Sequence, residues 1–271
     1  MRIVSRFSTA LTMAILGMSL LTLALLAVSS AAEPSSAAPD LNSLLEVLNS
    51  PHPAVAMKAA QELKKKDFPM KAFVPALAVA IKHPNEVVRL TAIEALSDRS
   101  SEAAPAVPAL GEALKDKDPL IREAAALALC SIGKQAVAVI PDLLILLGDD
   151  QKRVRDIAAL ALAGMGKDAV PSLVKALESK DPTVRAAASE ALGTMRETAV
   201  PELMALLSKG TPDAVRAASR ALINIGPLAV EPLIGLLRSP DAKTEDLVAE
   251  ILENMGTSAV PGLVKALRKK P

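Results

Sequence analysis

Two histidines, one cysteine and 30 carboxylates are the residues of this 271-residue chain that could do chemistry, and their spacing argues against it. His52 and His83 each precede a proline in a polar turn, and neither stands in an HExxH pattern or a His-Glu pair, the spacings that present ligands to a metal from one helix face. Cys130 is the sole cysteine, so no intrachain disulfide forms. A reactive thiol or an intermolecular bridge is its functional reading. It falls, however, at a small-residue helix position that later units fill with Ala163 and Gly193, which reads as packing. There is no glycine-rich phosphate loop, no GxSxG and no Cys/His pair. Most carboxylates alternate with lysine, as on solvated helix faces, and no two are set apart as acid and base. The sequence therefore predicts no catalytic residue, no cofactor site and no metal ligand.

Hydrophobic residues make up 51% of the chain, yet aromatics only 1%, with three Phe and neither Trp nor Tyr. The apolar share is thus Ala, Leu, Val, Ile and Met, which favours closely packed helices over sheets. Basic and acidic residues number 31 and 30; without Arg2 and Arg6 the balance is 29 against 30, a net of −1. Neither the footprint of a nucleic-acid binder nor the aromatic platforms for stacking bases is present.

Arg2 and Arg6 precede a charge-free segment from Phe7 to Ala32 that ends in the small residues Ser29-Ser30-Ala31-Ala32. That is the layout of an export signal cut before Glu33, and its apolar core is also close to the length that spans a bilayer. Residues 1–32 are expected to be a signal peptide or an N-terminal membrane anchor, with 7–32 the anchoring part. Either way the body lies outside the cytoplasm, periplasmic, secreted or membrane-anchored. A linker follows over 33–39.

From residue 40 to 271 the chain repeats itself. Units beginning at Ala169, Ala199, Ala229 and Ala259 are 30 residues apart, and Pro75, Pro108 and Pro141 are spaced by 33. A further unit fits from Leu44. Pro108, Pro141, Pro171 and Pro201 mark first-helix starts, because proline near the first helical position has no amide left unpaired. A polar turn such as Ser179-Lys180-Asp181-Pro182 breaks the chain, and Asp181 is placed to cap a second helix. Val184, Ala188, Ala191, Leu192 and Met195 then form one apolar face. Gly133, Gly166, Gly226 and Gly256 end second helices with a left-handed cap. The pattern predicts an all-α solenoid of about seven helix pairs plus a terminal helix.

Asp118-Pro119-Leu120-Ile121-Arg122 and Asp181-Pro182-Thr183-Val184-Arg185, followed by alanine-rich helices, resemble the HEAT repeat, in particular the short variety named after phycobilisome lyases. The resemblance covers residues 40–271 and implies a ladder of turn aspartates and arginines between successive repeats. By position the acids would be Asp118, Asp181 and Asp213, and the bases Arg89, Arg122, Arg155, Arg185 and Arg216. Ala56 and Glu245-Asp246 depart from that pattern at the two ends, as capping repeats would. The resemblance also raises two enzymatic alternatives. Deoxyhypusine hydroxylase holds iron through His-Glu pairs absent here, and a bilin-lyase-like activity would match through the repeat alone.

One outward-looking column of the second helices breaks the repetition: Glu94, Leu127, Leu160, Glu190, Arg220 and Glu250. Its two leucines either pack against neighbouring repeats or form an apolar landing strip, joined by Cys130 and Ala163, with Glu190 and Arg220 at the rim. The basic end of Lys265, Arg268, Lys269 and Lys270 binds an acidic partner or complements a helix C-terminus. The expectation is a protein-binding scaffold working on the concave surface, without cofactor and without nucleic acid. A uniform structural envelope spacer is the other non-enzymatic reading.

Overall fold

The computed structural model describes residues 70–237 and 241–268, with a few positions between 47 and 59. All belong to one compact unit, Leu41–Pro271. The leader, the linker, most of the unit from Leu44, and Lys269 and Lys270 lie outside the described residues. Six helix pairs and a single helix follow one another, with no strand among the described residues. The pairs are α1 (Met70–Ala80) with α2 (Glu86–Ser97), α3 (Val107–Ala113) with α4 (Pro119–Ile132), and α5 (Ile140–Leu146) with α6 (Lys152–Gly164). Then come α7 (Val170–Ala176) with α8 (Pro182–Thr194), α9 (Val200–Lys209) with α10 (Pro212–Ile225), and α11 (Pro227–Leu236) with α12 (Ala242–Asn254). Helix α13 (Val260–Arg268) closes the series. The chain is an α-solenoid.

Each element is set by its own residues. Five of the six second helices begin at a capping side chain: Asn85, Asp118, Asp181, Thr211 and Asp241 each accept an N–H of the first turn, Asp118 from Leu120 at 2.9 Å and Asp181 from Thr183 at 2.8 Å. Pro119, Pro182 and Pro212 open the helix at its first position, where an amide would have no partner. Most second helices lead into a 3-10 turn that brings the chain to the next first helix. At that reversal Gly133, Gly166, Gly226 and Gly256 take φ between 57 and 71°. Ser100 and Arg196 also take a positive φ, 49 and 57°, without being glycine.

The core runs unbroken between the two helix layers. Leu77, Leu110, Leu143, Leu173, Leu203 and Leu233, one from each paired first helix, are fully buried, as are Ala92, Ala125, Ala158, Ala188 and Ala218 on second helices. A fully buried leucine contributes roughly 1.5–3 kcal/mol, and the alanines let the helices approach. The stretch 119–146, apolar enough by composition to cross a membrane, is α4, a turn and α5, and its Leu129, Ile132 and Leu143 belong to this core. Neighbouring second helices pack against one another far more extensively than neighbouring first helices do. Ser189 illustrates the fit: fully buried on α8, it donates to the Ala217 carbonyl of α10 at 2.9 Å.

An arginine on the first turn of four second helices fastens the inter-helix turns. In Arg89, Arg122, Arg155 and Arg185, Nη1 donates back to two carbonyls of its own turn, at 2.7–3.2 Å. In three of them the rest of the fork reaches an acid of the following repeat. Arg122 holds Asp149 through two bonds of 2.7 and 2.9 Å and touches Asp150 at 3.0 Å. Arg89 Nε lies 2.9 Å from Asp116, and Arg185 Nη2 lies 3.3 Å from Asp213. Asp116 and Asp149 also accept the N–H of the second-helix cap residue that follows, each at 2.9 Å.

Three expectations for the ladder are corrected by this geometry. Asp118 and Asp181 are not its acids: each carboxylate is turned onto the N–H groups of its own helix, so the acid reaching the neighbour sits two residues earlier, as Asp116 and Asp149. Arg216 stands five residues after its cap, Thr211, instead of four, so it leaves the ladder and pairs with Asp213 on its own helix. Arg155 keeps its carbonyl bonds, but the next turn offers Ser179 where Arg89 and Arg122 meet aspartate.

Two predictions follow from these turns. Arg122→Ala should cost about 2–3 kcal/mol in urea unfolding, since it removes charged hydrogen bonds from a nearly buried pair, and Arg185→Ala, whose acid is half exposed, roughly 1–2 kcal/mol. Burial alone would raise the Asp149 carboxyl, but bonds from Arg122 and the Gln151 N–H hold it below its ordinary 3.8. A folded value below the unfolded one stabilises above that range and ceases to do so as pH falls through it. Stability should therefore decline below about pH 4, and Asp149→Asn should flatten that acid limb while lowering stability at pH 7. In the reversals, Arg196→Gly should be neutral or stabilising by up to about 1 kcal/mol, because it removes a left-handed non-glycine residue. Gly166→Ala, whose Cβ would meet nothing closer than 3.6 Å, should cost roughly 1–2 kcal/mol through the backbone alone.

Candidate partner-binding surface

The second helices present an outer face that no helix of the described array covers evenly. Leu127 on α4 is 44% exposed and Leu160 on α6 is 49% exposed, so neither packs into an inter-repeat core. Two turns earlier in the same rows, Val87 on α2 is 42% exposed and Leu120 on α4 is 60% exposed. Half-buried Ala124, Cys130, Ile157 and Ala163 lie on the same helices and rest on the core beneath. The result is an apolar strip across α2, α4 and α6, three second helices that pack extensively side by side. Sequence reasoning found Leu127 and Leu160 and missed Val87 and Leu120. The available signal was the seven-residue step back along each helix, which keeps the same face.

Charge borders the strip. Arg153 on α6 reaches Glu123 on α4 at 2.5 Å across the face. Beyond α6, Glu190 and Arg220 are exposed on α8 and α10, and Glu94 is half-buried on α2. Between α8 and α10 lies a cleft of about 160 Å³ lined by Arg185, Ala186, Asp213, Arg216, Ala217 and Arg220 among others. Asp213 serves two of its three guanidinium groups, those of Arg185 and Arg216. Arg220 makes no ion pair among the described residues, which leaves a planar donor fork free for a carboxylate. On α12 the face turns acidic, with Asp246, Glu250 and Glu253 exposed.

Residues with chemical potential elsewhere are otherwise engaged. His83 is buried in a turn, where its Nδ1 accepts the Asn85 N–H at 3.0 Å, and His52 is exposed. The Cys130 thiol is half-buried, and burial pushes it above its ordinary range, away from the thiolate needed for reaction. Among the described residues no three His, Cys, Asp or Glu side chains converge on one point. In the basic end, Lys265 pairs with Glu231 of α11 at 3.3 Å and Arg268 is exposed in the last turn of α13.

Residues 41–129, 104–163 and 140–224 match the family described as HEAT repeats. Among solved structures, the chain is similar at 22% identity and a TM-score of 0.51 to one described for microtubule plus end tracking by XMAP215, CLIP-170 and EB1, covering 69% of this chain and 90% of that one. It is also similar to the CpcE and CpcF complex of phycocyanin lyase from Nostoc sp. PCC7120, at 21% identity and a TM-score of 0.43, covering 83% and 97%. A designed armadillo repeat protein in complex with a (KR)4 peptide matches at 17% identity and a TM-score of 0.41, covering 80% and 100%. No curated protein matches the chain.

If the strip is surface and not core, charge placed on it leaves the fold intact. Leu127→Glu with Leu160→Glu should keep the helical signal and shift unfolding by no more than about 1 kcal/mol, whereas Leu129→Glu, two residues on and fully buried, should cost several kcal/mol. Circular dichroism with urea titration compares the two; a double variant as damaged as the core variant would remove both leucines from the proposed surface.

Proposed function

The chain belongs to the HEAT repeat family, and from that premise we propose that it is a non-catalytic scaffold, working outside the cytoplasm, that holds an apolar segment of a protein partner on its second-helix face. The single observation carrying this reading is the exposed pair Leu127 and Leu160 in a column that is otherwise charged. A binding patch combines a water-excluding apolar centre with a polar rim, and the strip over α2, α4 and α6 with the Arg153–Glu123 pair and the α8–α10 cleft has that composition. A uniform spacer has no need for a face that passes from apolar to basic to acidic along its length.

Charge complementarity specifies the segment further. Its apolar residues lie on Leu127 and Leu160, and a carboxylate beyond them meets Arg220, which lines the α8–α10 cleft and makes no ion pair among the described residues. Export is supported by the basic start, the charge-free run from Phe7 to Ala32 and the small residues before Glu33.

The test joins the two parts. A photo-crosslinking residue at position 127 of the protein in its native envelope should capture one polypeptide, and the same polypeptide, purified, should bind the parent in solution. Leu127→Glu with Leu160→Glu should weaken that binding at least about a hundredfold and Arg220→Glu about tenfold, while Ile145→Glu, exposed on first helix α5, leaves it unchanged. Unchanged binding by the double variant would sink the site. A reporter active only outside the cytoplasm, fused after residue 40, should be active; a silent reporter would sink the location.

A further inference from the structure

The cleft between α8 and α10 opens where two features of the repeat change at once. The residue after the ladder arginine is Glu123 in α4 and Asp156 in α6, and each takes a base, Arg153 and Lys152 respectively. In α8 the same position is Ala186, and in α10 it is Ala217. Both alanines line the cleft, so the acid of the earlier repeats is missing there. The stretch from cap to arginine is also one residue longer in α10, which leaves Arg216 outside the ladder and on the cleft wall. Acids are withdrawn and a base is added.

Three guanidinium groups, of Arg185, Arg216 and Arg220, and one carboxylate, of Asp213, therefore line a space of about 160 Å³. Three positive charges against one negative leave a net of +2. The carboxylate holds its partners loosely. Where Arg122 grips Asp149 through two bonds, Arg185 approaches Asp213 only at 3.3 Å, and Arg216 pairs with it at the surface, 76% exposed. Arg220 makes no ion pair among the described residues. Glu190, at the equivalent position of α8, is exposed and does not line the cleft.

We infer that this cleft is a binding site for a phosphoryl group, as inorganic phosphate or as a phosphate monoester of a larger molecule. Charge selects a dianion: a phosphate monoester carries about −1.5 to −2 at pH 7 on three strong acceptor oxygens, whereas a carboxylate or a phosphodiester brings a single charge. Planar guanidinium forks match such oxygens in pairs. Size selects one group and not a whole ligand, because sites that enclose small molecules run to roughly 300–1,000 Å³. The inference rests on the cleft and not on the apolar strip.

The purified protein is titrated at constant ionic strength with inorganic phosphate, methyl phosphate, dimethyl phosphate and acetate, and the arginine Nε–H signals are followed by NMR. Inorganic phosphate should bind saturably, shift the signals of the cleft arginines, and bind at least about tenfold more tightly than acetate or dimethyl phosphate. Methyl phosphate binding as tightly as inorganic phosphate assigns the group to a larger molecule; its exclusion assigns the free ion. Arg216→Ala and Arg220→Ala should each weaken phosphate about fivefold or more with the urea midpoint retained, and Ala186→Glu, which restores the acid of α4 and α6, should abolish binding. Asp213→Asn should tighten phosphate about threefold or more while lowering stability, a combination that general loosening of the fold does not produce. Leu127→Glu with Leu160→Glu should leave phosphate binding unchanged, so this site and the partner strip stand or fall separately. Acetate bound as tightly as phosphate, or phosphate unaffected by Arg216→Ala combined with Arg220→Ala, marks an adventitious ion only and overturns the inference.

Discussion

A helix hairpin of some thirty residues has an apolar face on each helix and flanks on both sides, and by itself it can close only the seam between its own two helices. Everything else in this molecule answers to that constraint. The buried leucine row from Leu110 to Leu233 and the buried alanine row from Ala92 to Ala218 are two halves of one seam, continued from pair to pair. Each pair is therefore stabilised by its neighbours as much as by its own contacts, and stability is a property of interfaces along the array. Near-absence of aromatics belongs to the same constraint. A uniform thirty-residue step needs side chains of similar, modest volume at equivalent positions, and a single Trp would force one interface apart.

The arginine fork converts this non-directional stacking into a defined geometry. Apolar contact tolerates sliding; a planar guanidinium that donates to two carbonyls of its own turn and to a carboxylate of the next does not. Arg122 with Asp149 is the fullest case, and the weakening from there is graded. Arg185 reaches an acid on the next helix, Arg155 meets Ser179 instead of an acid, and Arg216 is diverted by one extra residue in its turn. Registration is thus firmest over α2 to α6, the same helices that carry the exposed apolar strip. A patch that must be presented in one shape to a partner gains from lying on the most tightly registered part of the array.

How much of this could be read from the sequence depended on how local its cause was. Helix starts at Pro119 and Pro182 and the reversals at Gly133, Gly166, Gly226 and Gly256 were legible, because proline geometry and left-handed φ are properties of one residue and its neighbours. Ser100 and Arg196 also carry a positive φ without a glycine to announce it. The ladder was legible only as a set of arginines. Aspartates at 116 and 118 both lie in one turn, and which caps the helix and which crosses to the neighbour is decided by side-chain direction, not by spacing. The state of Leu127 and Leu160 was undecidable in the same way: a leucine in a charged column is equally consistent with surface and with interface until the neighbouring helix is placed.

The α7 and α13 pair shows why that last class of question has no answer in the residues themselves. Seven of eight side chains are the same in residues 170–177 and 260–267, the helix is the same, and yet Leu177 is fully buried while Leu267 is largely open. In a globular domain an apolar helix face finds its cover somewhere in a closed core. In a quasi-one-dimensional array cover comes only from the adjacent unit, so burial is set by position along the series and not by composition. Function in such a protein is therefore to be sought where the repeat pattern and the environment disagree. That occurs twice here: where the pattern expects charge and the helix presents Leu127 and Leu160, and where it expects a ladder arginine and one extra turn residue leaves Arg216 in the α8–α10 cleft. The two disagreements have opposite origins, one a change of residue in a constant environment and the other a change of environment around constant residues.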